Sequence, residues 1–237
     1  MKNEGPETGR IQALFDGIAG DYDRLNHLLS LGIDRTWRRR ALKRIVVPGQ
    51  AQSILDVACG TGDFSITIAK RADIRTVVTG VDLSEGMLAV MAEKVREEGL
   101  EGRIRAEQGD CLQLRFEEAS FDRVTIAFGI RNFEHRKVAL CEILRVLKPG
   151  GRLVILELSV PSNRFLRWVY GIYFTKILPL IGGRISGDKA AYSYLPASVL
   201  KFPGKKEWME TMSSCGYSDV THKAFTFGIC RMYTGEK

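Results

Sequence analysis

The feature that constrains this chain most is the stretch Asp56-Val57-Ala58-Cys59-Gly60-Thr61-Gly62-Asp63. It stands between a short apolar run, Ser53 to Ala58, and a helical run, Phe64 to Ala72. A short apolar run that stops at a glycine turn reads as a buried parallel strand, because a strand covered on both faces shows no polar alternation. Glycine permits the tight turn and lets the backbone come close to a ligand, and the helix start that follows offers free N–H groups. A chain organised around this unit is an α/β protein.

The unit recurs. Thr76 to Asp82 reads as a second strand, and Ser84 caps a helix that runs to Arg96. Arg103 to Gln108 and Phe121 to Phe128 read as strands three and four. A helix from about Glu134 to Leu147 is expected to stop at the breaker cluster Lys148-Pro149-Gly150-Gly151, with strand five from Arg152 to Leu158. Ahead of residue 50 the spacing of Ile11, Leu14, Phe15 and Ile18, and again of Trp37, Leu42, Ile45 and Val46, is helical. Phe165 to about Leu200 shows no strand and reads as inserted helices. Gly216 to Ala224 and Thr226 to Tyr233 then read as a closing hairpin. Strand–helix alternation predicts a doubly wound, mostly parallel sheet with helices on both faces. An insertion near the carboxyl edge of such a sheet lies where ligands bind, so it would form a lid.

The glycine turn is not a dinucleotide fingerprint, since the position of the third glycine is Ser65. Asp82 closes strand two about 20 residues on, where a carboxylate can accept both hydroxyls of a ribose. Gly109-Asp110-Cys111 follows strand three, where a carboxylate can receive the amino group of an adenine. Any one of these is also what an ordinary βα turn offers. Three in register, on consecutive strand ends, describe a nucleoside site without a phosphate site.

Composition narrows the partners. With 45% apolar and 27% charged residues over 237 positions, the chain reads as a soluble globular protein of one generous domain or a domain with an appendage, not as a fibrous, disordered or disulfide-framed protein. The net charge of +7 is unevenly placed, because residues 31–50 carry Arg35, Arg38, Arg39, Arg40, Lys43 and Arg44 against Asp34 alone. That stripe is either a solvated helix face or a contact for an anionic surface. The five cysteines, at 59, 111, 141, 215 and 230, form no CxxC pair, and with no HExxH pattern present no metal site is expected. Scattered cysteines point to a reducing compartment. Met1 to Pro6 has no apolar core of a secretory signal. The apolar stretch Phe165 to Ile185 is broken by Arg167, Lys176, Pro179 and Gly182-Gly183-Arg184, short of the ~20 residues of a membrane span. The expected location is cytoplasmic.

Residues 53–160 resemble the class I S-adenosylmethionine-dependent methyltransferases, through D-x-A-C-G-T-G-D, the acidic end of strand two and Leu147-Lys148-Pro149-Gly150-Gly151 before strand five. The fold this implies is a Rossmann-like seven-stranded sheet whose last strand runs antiparallel. Two longer stretches narrow the resemblance. Tyr22-Asp23-Arg24-Leu25-Asn26-His27 through Asp34-Arg35-Thr36-Trp37-Arg38 resembles the first signature of the menaquinone/ubiquinone biosynthesis C-methyltransferase family, and Arg145 to Leu153 with Glu157-Leu158-Ser159 resembles its second. Phe128-Gly129-Ile130-Arg131-Asn132, Tyr192 to Pro196 and Thr226-Phe227-Gly228-Ile229 support it. The chain departs from the family pattern at Leu25, usually Met, at Asp34, usually His, and at Ala127, where a small polar residue is frequent.

The resemblance implies a single methyltransferase domain over residues 1–237. N-terminal helices take 1–50, the cofactor-binding core 51–160, a helical lid 161–204, and a closing helix and hairpin 205–237. It also implies S-adenosylmethionine held by Gly60, Thr61, Gly62, Asp82, Asp110 and Cys111. The implied reaction is C-methylation of the ring of a prenylated quinol, 2-demethylmenaquinol first, with the ubiquinone-pathway quinol as the alternative. An RNA or other small-molecule methyltransferase, or a cofactor-binding protein with no acceptor, are more distant readings. No nucleic acid is expected as a partner.

For the chemistry, Arg131 is expected to stabilise a phenolate electrostatically and Asn132 to orient a hydroxyl or a water. His135 is a weaker candidate for a base, and Tyr22 and Asp23 would close over the cofactor. The insert Phe165, Leu166, Trp168, Val169, Tyr170, Tyr173, Phe174, Ile177 and Leu178 would either line a tail channel or be ordinary core. A prenylated acceptor implies peripheral contact with an anionic membrane surface at the inner face of the cell membrane. Apolar lid surface would serve a homodimer equally well.

Overall fold

The computed structural model describes residues 5–30, 32–172 and 189–237. Three helices precede the sheet: α1 (Thr8–Ile18), then, after a 3-10 turn at Ala19–Asp21, α2 (Tyr22–Leu29) and α3 (Ile33–Ile45). Gly32, at φ +71°, makes the left-handed entry to α3. Asp34 in the first turn accepts from Ser30 Oγ at 2.6 Å and pairs with Arg38 one turn on at 2.6 Å. An acid at this end suits the helix dipole.

The core alternates β1 (Ser53–Val57), α4 (Asp63–Arg71), β2 (Val77–Asp82), α5 (Glu85–Glu97), β3 (Ile104–Gln108), β4 (Phe121–Ala127), α6 (Arg136–Val146) and β5 (Leu147–Leu158). Ser84 caps α5 as expected, its Oγ accepting from the Met87 amide at 3.1 Å. The remaining elements are α7 (Arg164–Ile172), α8 (Lys189–Lys201), α9 (Lys205–Ser214), β6 (Ser218–Phe225) and β7 (Cys230–Glu236). Tyr173, Phe174, Ile177 and Leu178 of the expected lid lie outside the described residues.

All seven strands form one sheet in the order β3-β2-β1-β4-β5-β7-β6. β7 is antiparallel to both neighbours and the other pairs are parallel, which is the Rossmann-like class I methyltransferase arrangement. Successive strand residues serve opposite cores, because strand side chains alternate between faces. Leu55, Val124 and Ile155 pack with Leu140 and Ile143 of α6 and Trp208 and Met212 of α9. Ile54, Val154 and Leu156 pack with Trp37 and Ile45 of α3, Phe64 and Ile68 of α4 and Met91 of α5. Each fully buried aliphatic side chain contributes about 1.5–3 kcal/mol.

Two local expectations are corrected. Lys148 to Gly151 lies inside β5, not before it: Leu147 already pairs with Phe121, the chain bulges, and pairing resumes at Arg152 with Arg123. Gly150, at φ +72°, makes the bulge, and a Cβ on Gly151 would sit 2.7 Å from the Lys148 carbonyl oxygen. The second hairpin strand starts at Cys230, not Thr226, because Thr226–Gly228 forms a 3-10 turn with Phe227 at φ +57°. α6 likewise starts at Arg136, two residues later than its spacing predicts.

Candidate active site

The order of strands reverses between β1 and β4, and a crevice opens there at the carboxyl ends. β1 ends in the glycine turn. Gly60 is left-handed at φ +56°, and its amide donates to Asp82 Oδ2 at 2.8 Å. The Ser84 amide donates to Asp82 Oδ1 at 3.0 Å. Each carboxylate oxygen therefore keeps acceptor capacity toward the cavity that Asp82 lines. Burial raises the Asp82 pKa, and the backbone donors only partly offset it. Gly60, Asp82, Asp110, Cys111 and Asn132 all line this one cavity.

Thr61, Gly62 and Arg131 do not line it. Thr61 is buried, and its hydroxyl donates to Asp23 Oδ1 on α2. Asp23 pairs with Lys94 at 2.6 Å, and Lys94 also pairs with Asp63. Gly62 is left-handed at φ +80°, and a Cβ there would sit 2.5 Å from Met91 Cγ, so it lets α4 and α5 pack closely.

The N-terminal helices roof the cavity with Ile11, Phe15 and Tyr22. Three acidic contacts fasten them down. Glu134 Oε2 accepts from the Thr8 amide at 3.0 Å and its hydroxyl at 2.9 Å. Asp16 Oδ1 accepts from Ser84 Oγ and the Gly86 amide at the start of α5. Asp23 makes the third contact, through Thr61 and Lys94. Sequence reasoning placed Tyr22 and Asp23 over the cofactor but carried no signal for Asp16, whose partner lies 68 positions away.

On the acceptor side, a 3-10 turn at Ile130–Asn132 follows β4. Arg131 is buried against Glu157 of β5, with Nη1 to Oε1 at 3.0 Å, and the Arg131 amide donates to Glu157 Oε2 at 3.1 Å. Its guanidinium also donates to the Phe128 carbonyl and, through Nε, to Ser198 Oγ at 3.3 Å. Burial is the largest single effect and works against this charge, but the Glu157 charge, Tyr22, Tyr194 and the Glu157 hydrogen bond together more than offset it, so the guanidinium pKa is raised. Glu157 stood in a recognisable motif; its pairing with Arg131 spans 26 positions and has no local signature.

Asn132 Oδ1 accepts from the Tyr194 hydroxyl of α8 at 2.7 Å. Burial raises the pKa of both Tyr194 and Tyr22 while the Arg131 charge pulls each down, so both phenols stay protonated near neutral pH. His135 stands at the N-terminal boundary of α6 without a side-chain capping bond, its Nε2 4.0 Å from Glu134 Oε1, and does not line the cavity. Within the insert Tyr170 is buried against Val199, whereas Phe165 and Trp168 are exposed.

An open α/β sheet with a glycine turn, a ribose-accepting Asp82 and a closed apolar roof defines the class: an S-adenosylmethionine-dependent methyltransferase of the class I fold. The Asp82 oxygens, the Asp110 carboxylate and the apolar walls fit a nucleoside and need no phosphate contact. The chain belongs to the ubiE/COQ5 methyltransferase family, whose model matches residues 3–237.

Among its relatives, a ubiquinone/menaquinone biosynthesis C-methyltransferase UbiE of Geobacter sulfurreducens is 49% identical over 96% of this chain and 88% of that one. A demethylmenaquinone methyltransferase of Bacteroides fragilis is 44% identical over 99% of this chain and 95% of that one. A solved methyltransferase of Methanococcus maripaludis superposes with a TM-score of 0.66 at 19% identity, covering 94% of each chain. The [4+2]-cyclase SpnF superposes with a TM-score of 0.72 at 16% identity, covering 98% of this chain and 97% of that one. These two likenesses concern the fold, and SpnF shows the same scaffold carrying other chemistry.

Proposed function

We propose that this chain transfers a methyl group to a ring carbon of a prenylated quinol, with 2-demethylmenaquinol as the acceptor. The observation that carries the reading is the Asn132–Tyr194 pair, whose Asn132 lines the donor cavity. The Tyr194 hydroxyl occupies Asn132 Oδ1, which leaves the Asn132 amide N–H groups to donate to an acceptor oxygen. The Bacteroides relative, named for demethylmenaquinone, supports the naphthoquinol. The Geobacter relative, named for both quinones, favours the second reading, in which a ubiquinone-pathway quinol is accepted as well.

Bound S-adenosylmethionine supplies an electrophilic methyl group on a sulfonium sulfur. The quinol hydroxyl loses its proton, and the phenolate pushes electron density onto the adjacent unsubstituted carbon. That carbon takes the methyl group as the methyl–sulfur bond breaks and S-adenosylhomocysteine is left; the carbon then loses its own proton to solvent and the ring oxygen regains one, restoring the aromatic quinol. The residues of this chain align the two reactants and favour the phenolate. Asn132 donates to the developing oxyanion, while Arg131, neutralised by Glu157 and outside the cavity lining, fixes the turn that presents Asn132. Gly60, Asp82, Asp110 and Cys111 hold the donor, while Thr61 and Gly62 shape the turn that presents Gly60.

Asn132→Ala tests the assignment. With a reduced, short-tailed demethylmenaquinone analogue, kcat is expected to fall by about 100-fold while the affinity for S-adenosylmethionine stays within twofold. A fall of less than about threefold would remove Asn132 from the oxyanion site. The acceptor's tail places the enzyme at the inner membrane surface as a peripheral protein; no helix among the described residues is long and apolar enough to cross it.

A further inference from the structure

We infer that the β6–β7 turn and the outer face of α7 form a bilayer-insertion tip, flanked by a headgroup basin on α3 and β6. This rests on the reading that the acceptor is a prenylated, membrane-resident quinol. Phe227 at the tip of the turn is 79% exposed. Thr226 and Phe227 are both left-handed, at φ +45° and +57°, a strained conformation for a β-branched and an aromatic residue in succession. Nearby groups hold them there. The Trp37 indole N–H donates to Thr226 Oγ1 at 2.9 Å, and Ser159 Oγ donates to the Gly228 carbonyl at 2.6 Å.

Arg231 Nη2 donates to Ser162 Oγ at 3.3 Å, joining the turn to the segment that enters α7. On α7, Phe165 and Trp168 are 69% and 63% exposed, with ring centroids 6.2 Å apart and Arg164 beside them at the surface. Two residues before Phe227, Phe225 forms with Met232 the floor of a concavity of about 370 Å³, ringed by Arg40, Lys43 and Arg44 of α3 and Lys223 of β6. The Arg40 guanidinium lies 5.7 Å from the Phe225 ring centre. Among the described residues no carboxylate pairs with any of the four cations.

A cationic basin two residues along the chain from an exposed aromatic turn matches an anionic bilayer. Headgroup phosphates fit the basin, and Phe and Trp rings fit the interface beneath them. The tip lies at the carboxyl edge of the sheet, the edge on which the active site opens, so insertion would bring the site to the level of the quinol headgroup.

The test uses Trp168 in the full chain, because Trp37 and Trp208 are buried and silent. Vesicles of phosphatidylcholine with phosphatidylglycerol should shift Trp168 emission to the blue, and brominated acyl chains should quench it. Phosphatidylcholine alone should do neither, and salt should reverse the effect. Phe227→Ser should weaken vesicle partition by about tenfold. Arg40→Glu with Lys43→Glu and Arg44→Glu should weaken it by more than about 100-fold, at about fivefold or more per substituted residue. Both variants should methylate a water-soluble, short-tailed acceptor at the wild-type rate.

Partition unchanged by either variant would overturn the inference. So would an unshifted Trp168 on vesicles that retain the protein, or tight binding to an RNA homopolymer with no partition into lipid. Failure of the wild type to methylate the soluble acceptor would contradict the quinol reading instead, and the Trp168 response would still decide the surface.

Discussion

Asp56 lies under the glycine turn, almost wholly buried, accepting from Ser65 Oγ at 2.6 Å and Thr125 Oγ1 at 2.8 Å. Burial raises its pKa to about 6, and the two hydroxyls only partly oppose this. Between its unfolded value of 3.8 and about 6, the folded state holds more protons than the unfolded one. Stability from this group therefore falls as pH rises through that window. Asp56→Asn removes the buried charge and keeps the shape, so it is expected to raise stability at pH 7 by about 1–3 kcal/mol and to flatten the profile between pH 4 and 6. Thermal denaturation across that range checks it; an unchanged slope would contradict it. At Arg131 the sign is opposite, because Glu157 has no exposure of its own. Arg131→Ala strands that carboxylate and is expected to cost about 3–5 kcal/mol, with Glu157→Gln in the same chain restoring part of it. Denaturant titration of both variants reads this out. A single variant as stable as the double one would mean that Glu157 is not left charged.

At the scale of elements, the N-terminal helices hold the cavity closed by acidic contacts to loops of the core. Lys94 sits between Asp23 of α2 and Asp63 of α4, all three partly exposed. Lys94→Met is expected to weaken S-adenosylmethionine binding about three- to tenfold by loosening α2, measured by calorimetry. An affinity within twofold of wild type would detach α2 from cofactor binding. The strands and helices around the glycine turn were legible in the sequence because each is short, apolar and bounded by glycine or a cap. The residues that line the cavity from strand ends, Gly60, Asp82, Asp110 and Cys111, were legible for the same reason. The β5 bulge and the turn at Phe227 were not, because they depend on left-handed backbone in a continuous β pattern. Arg131 was legible as a charged residue past β4. Its pairing with Glu157, outside the cavity lining, is a tertiary contact with no periodicity to reveal it.

Over the whole molecule, the exposed aromatic residues Phe165, Trp168 and Phe227 stand near the edge where the active site opens, and four of the cations gather on the adjoining flank of α3 and β6. The +7 net charge is thus better understood as local than as a general affinity for polyanions. The same scaffold carries other chemistry in SpnF, so the fold leaves the acceptor open. The proposed acceptor contact lies where the turn after β4 meets α8, which bring Asn132 and Tyr194 together. The most direct test of the account is methyl transfer from labelled S-adenosylmethionine to chemically reduced demethylmenaquinone and a demethylated ubiquinone analogue, side by side. The labelled carbon would be located on the product by NMR. The account predicts label on a ring carbon of the naphthoquinol. Tight binding of S-adenosylmethionine with no transfer to either quinol, or label on oxygen in place of carbon, would contradict it.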